Sequence, residues 1–193
     1  MTADPIQVAL TVAEALEGCG LRYLVGGSLA SSLSGEPRST LDVDLVVSIS
    51  ENDVQPFVDR LGDEFYAEPD SLRRAIRDKS STNIIHYATS MKVDLFIAGG
   101  SVLDEQQMNR RQRVKVATDP DRHLYFYTPE DILLQKLSWY RAGNEASDRQ
   151  WRDILGIVLV QSGLDDAYLR DGAQQLGVVD LLDRAMLEGR ATS

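Results

Sequence analysis

The sequence predicts an α/β (α+β) protein, with a sheet flanked by helices over residues 1–127 and a helical C-terminal part over residues 128–193 packed on it. Three observations carry this expectation. Short apolar runs, Leu21 to Val25, Leu41 to Val47 and Met91 to Ile97, have the length and β-branched content of strands; helically spaced stretches separate them; and beyond Phe126 the spacing is helical almost throughout. At 193 residues and 43% hydrophobic, the chain can bury one core with an appended helical unit.

The elements follow in order. Pro5 to Glu17 is an amphipathic helix with Val8, Val12, Ala15 and Leu16 on one side, ended by Gly18 and Gly20. The Leu21 strand runs into Gly26-Gly27-Ser28 and a helix-forming stretch, Leu29 to Leu33. A loop, Gly35 to Thr40, leads to the strand carrying Asp42 and Asp44. Glu51 to Leu61 has helical spacing, Glu64 to Ala67 is a short extended piece, and Asp70 to Arg77 is helical behind a proline. Thr82 to Tyr87 and Met91 to Ile97 form a hairpin across Ala88-Thr89-Ser90, and a strand pattern returns over Arg113 to Ala117. Thr128 is an N-cap, Pro129 suits the first helical position and Asp131 completes an acidic capping box. In that helix Ile132, Leu133, Leu137, Trp139 and Tyr140 make one broad apolar face with Lys136 in its middle. A second helix, Gln150 to Val160, is apolar on nearly all sides and therefore largely buried, with Asp153 inside it.

The chemistry is written in the strands. Side chains alternate along an extended chain, so Asp42 and Asp44 share a face roughly 7 Å apart while Val43, Leu45 and Val47 face a core. Val93, Leu95 and Ile97 make the apolar side of the later strand, leaving Asp94 opposite with Lys92 and Phe96. If these strands are neighbours, three carboxylates converge, and like charges so placed call for a cation. Oxygen-only ligands suit Mg²⁺ or Mn²⁺, and Mg²⁺ held by a few carboxylates completes its shell with water and substrate phosphates, so the implied ligand is a nucleoside triphosphate. Two such ions about 3.5 to 4 Å apart activate an attacking oxygen and stabilise a leaving pyrophosphate. Gly26, Gly27 and Ser28 add a glycine turn at a helix start, whose amides and hydroxyl suit a phosphate. A GGS by itself equally describes an ordinary tight turn. Arg38 and Thr40 stand in the loop before Asp42, within reach of a triphosphate or simply solvated.

These residues resemble the nucleotidyltransferase superfamily built on the DNA polymerase β-like palm: Gly-Gly/Ser, a spacer, Asp-x-Asp and a third acid on a later strand. Here thirteen residues separate Ser28 from Asp42, a spacer at the long end. Together with Thr128-Pro-Glu-Asp-Ile-Leu-Leu-Gln-Lys136-Leu and Arg149-Gln-Trp-Arg-Asp153-Ile-Leu, the chain looks most like the AbiEii-type branch, which includes toxins of toxin-antitoxin systems. The resemblance implies a mixed sheet, with Asp42, Asp44 and Asp94 as metal ligands, and Lys136 and Asp153 in the active site. It also implies transfer of a nucleoside monophosphate to an acceptor hydroxyl on RNA, protein or a small molecule, tRNA among them, and an antitoxin protein as partner. The residues themselves leave alternatives open: Lys136 and Asp153 as a structural ion pair, the acids as a polar sheet face with Lys92 paired to Asp94, or a nucleotide-binding module without turnover.

Composition narrows the classes further. A net charge of −10 argues against broad, nonspecific nucleic-acid binding. Arg111, Arg113 and Lys115 read as one strand face, and Arg73, Arg74, Arg77 and Lys79 as a helix side; each is either a charged edge or an acceptor surface. No apolar run approaches the roughly 20 residues of a membrane span, and Met1 to Pro5 shows no basic leader, so a cytoplasmic protein is expected. Cys19 alone forms no internal disulfide, and with only His86 and His123 beside it zinc is not expected.

Overall fold

A computed structural model of the chain describes residues 4–27, 29–30 and 42–191. It divides into two compact units, one of residues 1–29 and 39–126, the other of residues 30–38 and 127–193. The first is built on a mixed sheet of seven described strands: β1 (Arg22–Val25), β2 (Val43–Ser48), β3 (Phe65–Tyr66), β4 (Ser81–His86), β5 (Met91–Ile97), β6 (Gln112–Thr118) and β7 (Asp121–Phe126). Their order is β3-β4-β5-β2-β1-β7-β6. The β2–β5 and β1–β7 pairs are parallel and the other four antiparallel.

Four described helices accompany the sheet: α1 (Pro5–Gly18), α2 (Val54–Leu61), α3 (Pro69–Asp78) and α4 (Val102–Arg110). Asp4 caps α1 by accepting from the Ile6 amide at 2.9 Å, and Pro5 follows at the first helical position. Helix α1 lies on the sheet face made by Tyr23, Val25, Val43, Leu45, Val47, Val93 and Leu95, all buried. The Tyr23 hydroxyl donates to Glu17 of α1 at 3.0 Å; burial first, then the Glu17 charge, pushes this phenol well above its ordinary value. Helix α4 serves the other face, where Arg22 of β1 bonds Glu105 at 3.1 Å and Asn109 at 3.3 Å.

The second unit holds α5 (Pro129–Ala142), α6 (Asp148–Val160), α7 (Asp166–Leu176) and α8 (Val179–Ala191). Its core comprises Leu133, Leu134, Leu137, Ile154, Ile157, Leu169, Ala173, Leu181, Leu182 and Ala185. Helices α5 and α7 approach closely because Gly172 carries no side chain: a Cβ there would meet Leu134 Cδ1 at 2.4 Å. Thr128 caps α5 as expected, its Oγ accepting from the Asp131 amide at 3.2 Å.

Several sequence expectations need correction. Helix α4 and strand β7 have no counterpart among them; β7 is a short alternating run whose register is supplied by β6 and β1. Strand β2 begins at Val43, so Asp42 precedes it. Arg111 precedes β6 and lies over the Tyr125 ring at 4.8 Å, so it does not share a strand face with Arg113 and Lys115. Edge strand β6 keeps those two exposed, and Lys115 pairs with Asp121 at 2.7 Å. Trp139 is 44% exposed, and Leu134 takes its place in the buried face of α5. Helix α6 buries only Trp151, Ile154 and Ile157; Leu159 and Val160 are exposed, because the helix has neighbours on one side within its unit. No described helix is long and apolar enough to cross a membrane.

Candidate active site

Parallel pairing of β2 with β5 sets Asp44 opposite Asp94 in register, one strand apart. Register partners point to one face, and neighbouring strands lie about 4.8 Å apart, so the two carboxyl groups sit side by side. Both are half-buried, and the alternate residues Val43, Leu45, Val93 and Leu95 are buried on the α1 side. The hydrophobic alternation that fixes the register therefore also forces the two like charges together. Asp42, exposed at the entry to β2, is the third acid of the group.

A cation already stands among them. Lys92, two residues before Asp94 on the same side of β5, reaches Asp94 Oδ2 at 2.9 Å. Its ammonium is held above its ordinary value by that hydrogen bond and the Asp94 charge, with desolvation opposing and the charges of Asp42 and Asp44 adding least. On the far side, Asn83 of β4 is the register partner of Asp94, and Tyr66, Ile85 and Lys92 form a row across β3, β4 and β5. None of these is buried, so the acids' face is open here, whereas Ile84 and Val93 on the reverse are buried.

The glycine turn closes against the acids. The Gly26 amide donates to the Asp44 carbonyl at 2.9 Å, which engages that N–H inside the sheet. Gly27 has φ of +55°, and a Cβ added to it would stand 1.7 Å from Asp44 Oδ2. Only glycine serves at this position, both for its backbone conformation and for the carboxylate lying against it. Helical backbone begins at Gly27 and continues at Leu29. Ser28, Arg38 and Thr40 lie outside the described residues.

In the helical unit Lys136 of α5 and Asp153 of α6 meet at 3.3 Å, with side chains 16% and 18% exposed. The pair joins two helices across a largely dry contact, the Lys136 ammonium donating to Asp153 Oδ2. An acid of α5 is fully enclosed: Asp131 accepts from the Thr128 hydroxyl at 2.8 Å and the Tyr168 hydroxyl at 2.6 Å.

The donor set suits a hard divalent ion, being carboxylate oxygen on a face open to solvent and substrate. In the present side-chain arrangement, among the described residues, no three His, Cys, Asp or Glu side chains form a ready ligand cluster. Asp94 is instead paired with the Lys92 ammonium. Sequence reasoning found the three acids and mentioned Lys92 as the partner of Asp94. It missed that Lys92 feels all three acids, and it missed Asn83, whose place beside Asp94 follows from the hairpin register.

The fold has relatives among solved structures. The chain is similar to an antigenic nucleotidyltransferase-like protein from Paracoccidioides brasiliensis, with 16% identity, a TM-score of 0.52, and 94% of this chain and 91% of that one covered. It is also similar to the antibiotic-resistance factor ANT(2'')-Ia, with 16% identity, a TM-score of 0.50, and 98% and 99% covered. The mixed sheet with its helices is thus a nucleotidyltransferase-like fold. No family model matches the sequence, and no curated protein matches it.

Proposed function

We propose that the chain is a metal-dependent nucleotidyltransferase that moves a nucleoside monophosphate from a nucleoside triphosphate to an acceptor hydroxyl. The observation that carries the reading is Asp44 in register with Asp94 on adjacent strands, with the Cβ-less Gly27 against the Asp44 carboxylate. Asp42, Asp44 and Asp94 would hold Mg²⁺ or Mn²⁺, which when bound neutralises the phosphates and makes the acceptor oxygen a better nucleophile. Asp94 takes the proton of the acceptor hydroxyl as its oxygen attacks the α-phosphorus. The bond from that phosphorus to its bridging oxygen breaks, and pyrophosphate leaves. The turn at Gly26, Gly27 and Ser28 cradles the phosphates, with Arg38 and Thr40 from the following loop. In the helical unit Lys136, oriented by Asp153, presents an ammonium for a phosphate.

Incubation with labelled nucleoside triphosphates, Mg²⁺ and cell extract tests this. A labelled acceptor and released pyrophosphate are expected, and both should vanish in Asp44→Asn. A second reading draws support from Lys92 seated at Asp94, which suits a nucleotide-binding module without turnover. Triphosphate binding with no pyrophosphate release in a pyrophosphatase-coupled phosphate assay selects it. The runs Thr128 to Leu137 and Arg149 to Leu155 support the narrower proposal of an AbiEii-type toxin acting on tRNA in the cytoplasm and restrained by an antitoxin protein. Growth arrest on expression, relieved by Asp42→Ala or by a neighbouring gene's product, is the expected result. Arrest that survives Asp42→Ala removes it.

A further inference from the structure

We propose that Lys92 is a built-in counter-ion of the carboxylate cluster, occupying it until a divalent metal displaces the ammonium from Asp94. The inference rests on the nucleotidyltransferase reading of the site and concerns how that site is kept assembled and filled. Its Nζ stands 2.9 Å from Asp94 Oδ2, and the β2–β5 register sets Asp44 beside Asp94. Its side chain is 46% exposed, so the ammonium can leave without unpacking the core. A lysine has a flexible four-carbon stem and a compact charge, suited to swinging aside where an arginine fork would hold its carboxylate in two places. Beyond Lys92 in the same row stand Ile85 and the 49% exposed Tyr66, an open apolar surface along which the stem can lie.

Two consequences follow. Without metal, Lys92 offsets repulsion among carboxylates that the β2–β5 register cannot separate. With metal, it competes, so the affinity for the first ion is set below what the acids alone would give. Metal binding then favours conditions where a triphosphate brings its own charge to complete the site, which restrains the empty enzyme from holding an ion.

The experiment compares the full chain with K92M and K92R, titrating Mn²⁺ by electron paramagnetic resonance and following thermal unfolding with and without the ion. K92M should bind Mn²⁺ about tenfold more tightly, as expected from removing a unit positive charge within a few ångströms of the ion at high effective dielectric. It should melt lower than wild type in chelator and gain more from Mn²⁺. K92R should remain lysine-filled in kind, binding Mn²⁺ no more tightly than wild type. If K92M does not yield folded protein, K92Q makes the same comparison. Equal Mn²⁺ affinity in wild type and K92M overturns the counter-ion proposal and leaves the metal site standing. Absence of Mn²⁺ binding in both, matched by Asp44→Asn, overturns the metal reading and this inference with it.

Discussion

The two units treat charge in opposite ways. In the helical unit the inward acids are matched where they stand: Asp131 by two hydroxyls, Asp153 by Lys136, and Glu130 by the Asp165 amide. In the sheet unit strand register sets Asp44 and Asp94 side by side with Asp42 near, and one half-exposed lysine pairs with Asp94. Opposite charges meeting across helices are what packing and solubility require, since a buried group left unmatched costs stability. Like charges set together at a sheet face serve neither, and they cost repulsion. The difference separates charge that serves the fold from charge that the fold tolerates.

Removing one of the tolerated charges should therefore hurt function and spare the fold. Asp44→Asn should lower label transfer by about 100-fold or more, the scale seen when charge stabilisation of a reacting phosphate is lost. Its melting temperature should fall less than that of Asp131→Ala, because repulsion from Asp94 is relieved. A large fall in melting temperature would place Asp44 with the structural acids and collapse the contrast. Asp131→Ala should do the reverse: it leaves the hydroxyls of Thr128 and Tyr168 without their buried acceptor and should cost about 3 kcal/mol in chemical denaturation. Label transfer per folded molecule should be retained. Between these lies Lys136→Met, whose pair is mostly shielded from water. A role at a phosphate predicts a loss of transfer of about tenfold or more alongside a stability loss of about 1 to 3 kcal/mol. A structural pair predicts the second effect alone.

Gly27→Ala couples the two readouts. The added methyl must displace the Asp44 carboxylate and adopt φ of +55°, so we expect about 1 to 3 kcal/mol of destabilisation and reduced transfer. If Gly27→Ala is as stable and as active as wild type, the turn does not hold Asp44 in the way the geometry describes.

Much of this contrast was legible in the sequence, for a physical reason. Period-two alternation around Asp44 and Asp94 fixes which way each points before any partner is known, and in Thr128–Asp131 the capping pattern is entirely local. What could not be read was decided by neighbours. The strand Asp121–Phe126 is mixed in polarity and becomes a strand through β1 and β6; on α5 it is Leu134, facing Gly172, that is buried, and Trp139, about 140° round the helix from it, that is exposed. The apolar α6 looked wrapped on all sides, yet Leu159 and Val160 are exposed, since hydrophobicity alone does not say how many neighbours a helix has. Lys92 shows the same limit at the site. Its side of the strand follows from alternation, while its relation to three acids needed the β2–β5 register.

The smallest effect tests whether matched surface charge in the helical unit follows simple linkage. Glu188 lies below its ordinary carboxylate range of 4.5, first through the Arg184 hydrogen bond and then through the Trp151 indole, with desolvation opposing. Asp180 is lowered from 3.8 in the same way, chiefly by Arg141. A carboxylate whose folded pKa is depressed contributes stability that is present above its unfolded value and is lost as pH falls through its folded one. Wild type should therefore melt slightly higher than Glu188→Gln at neutral pH, and the gap should close on acidification below 4.5. Both partners are solvent-exposed, so the difference is expected to be small and to shrink with added salt. A gap that widens on acidification would mean that Glu188 is held with a raised affinity for its proton in the fold. The Arg184 guanidinium, 4.1 Å over the Trp151 ring, would then act on the ring more than on the acid.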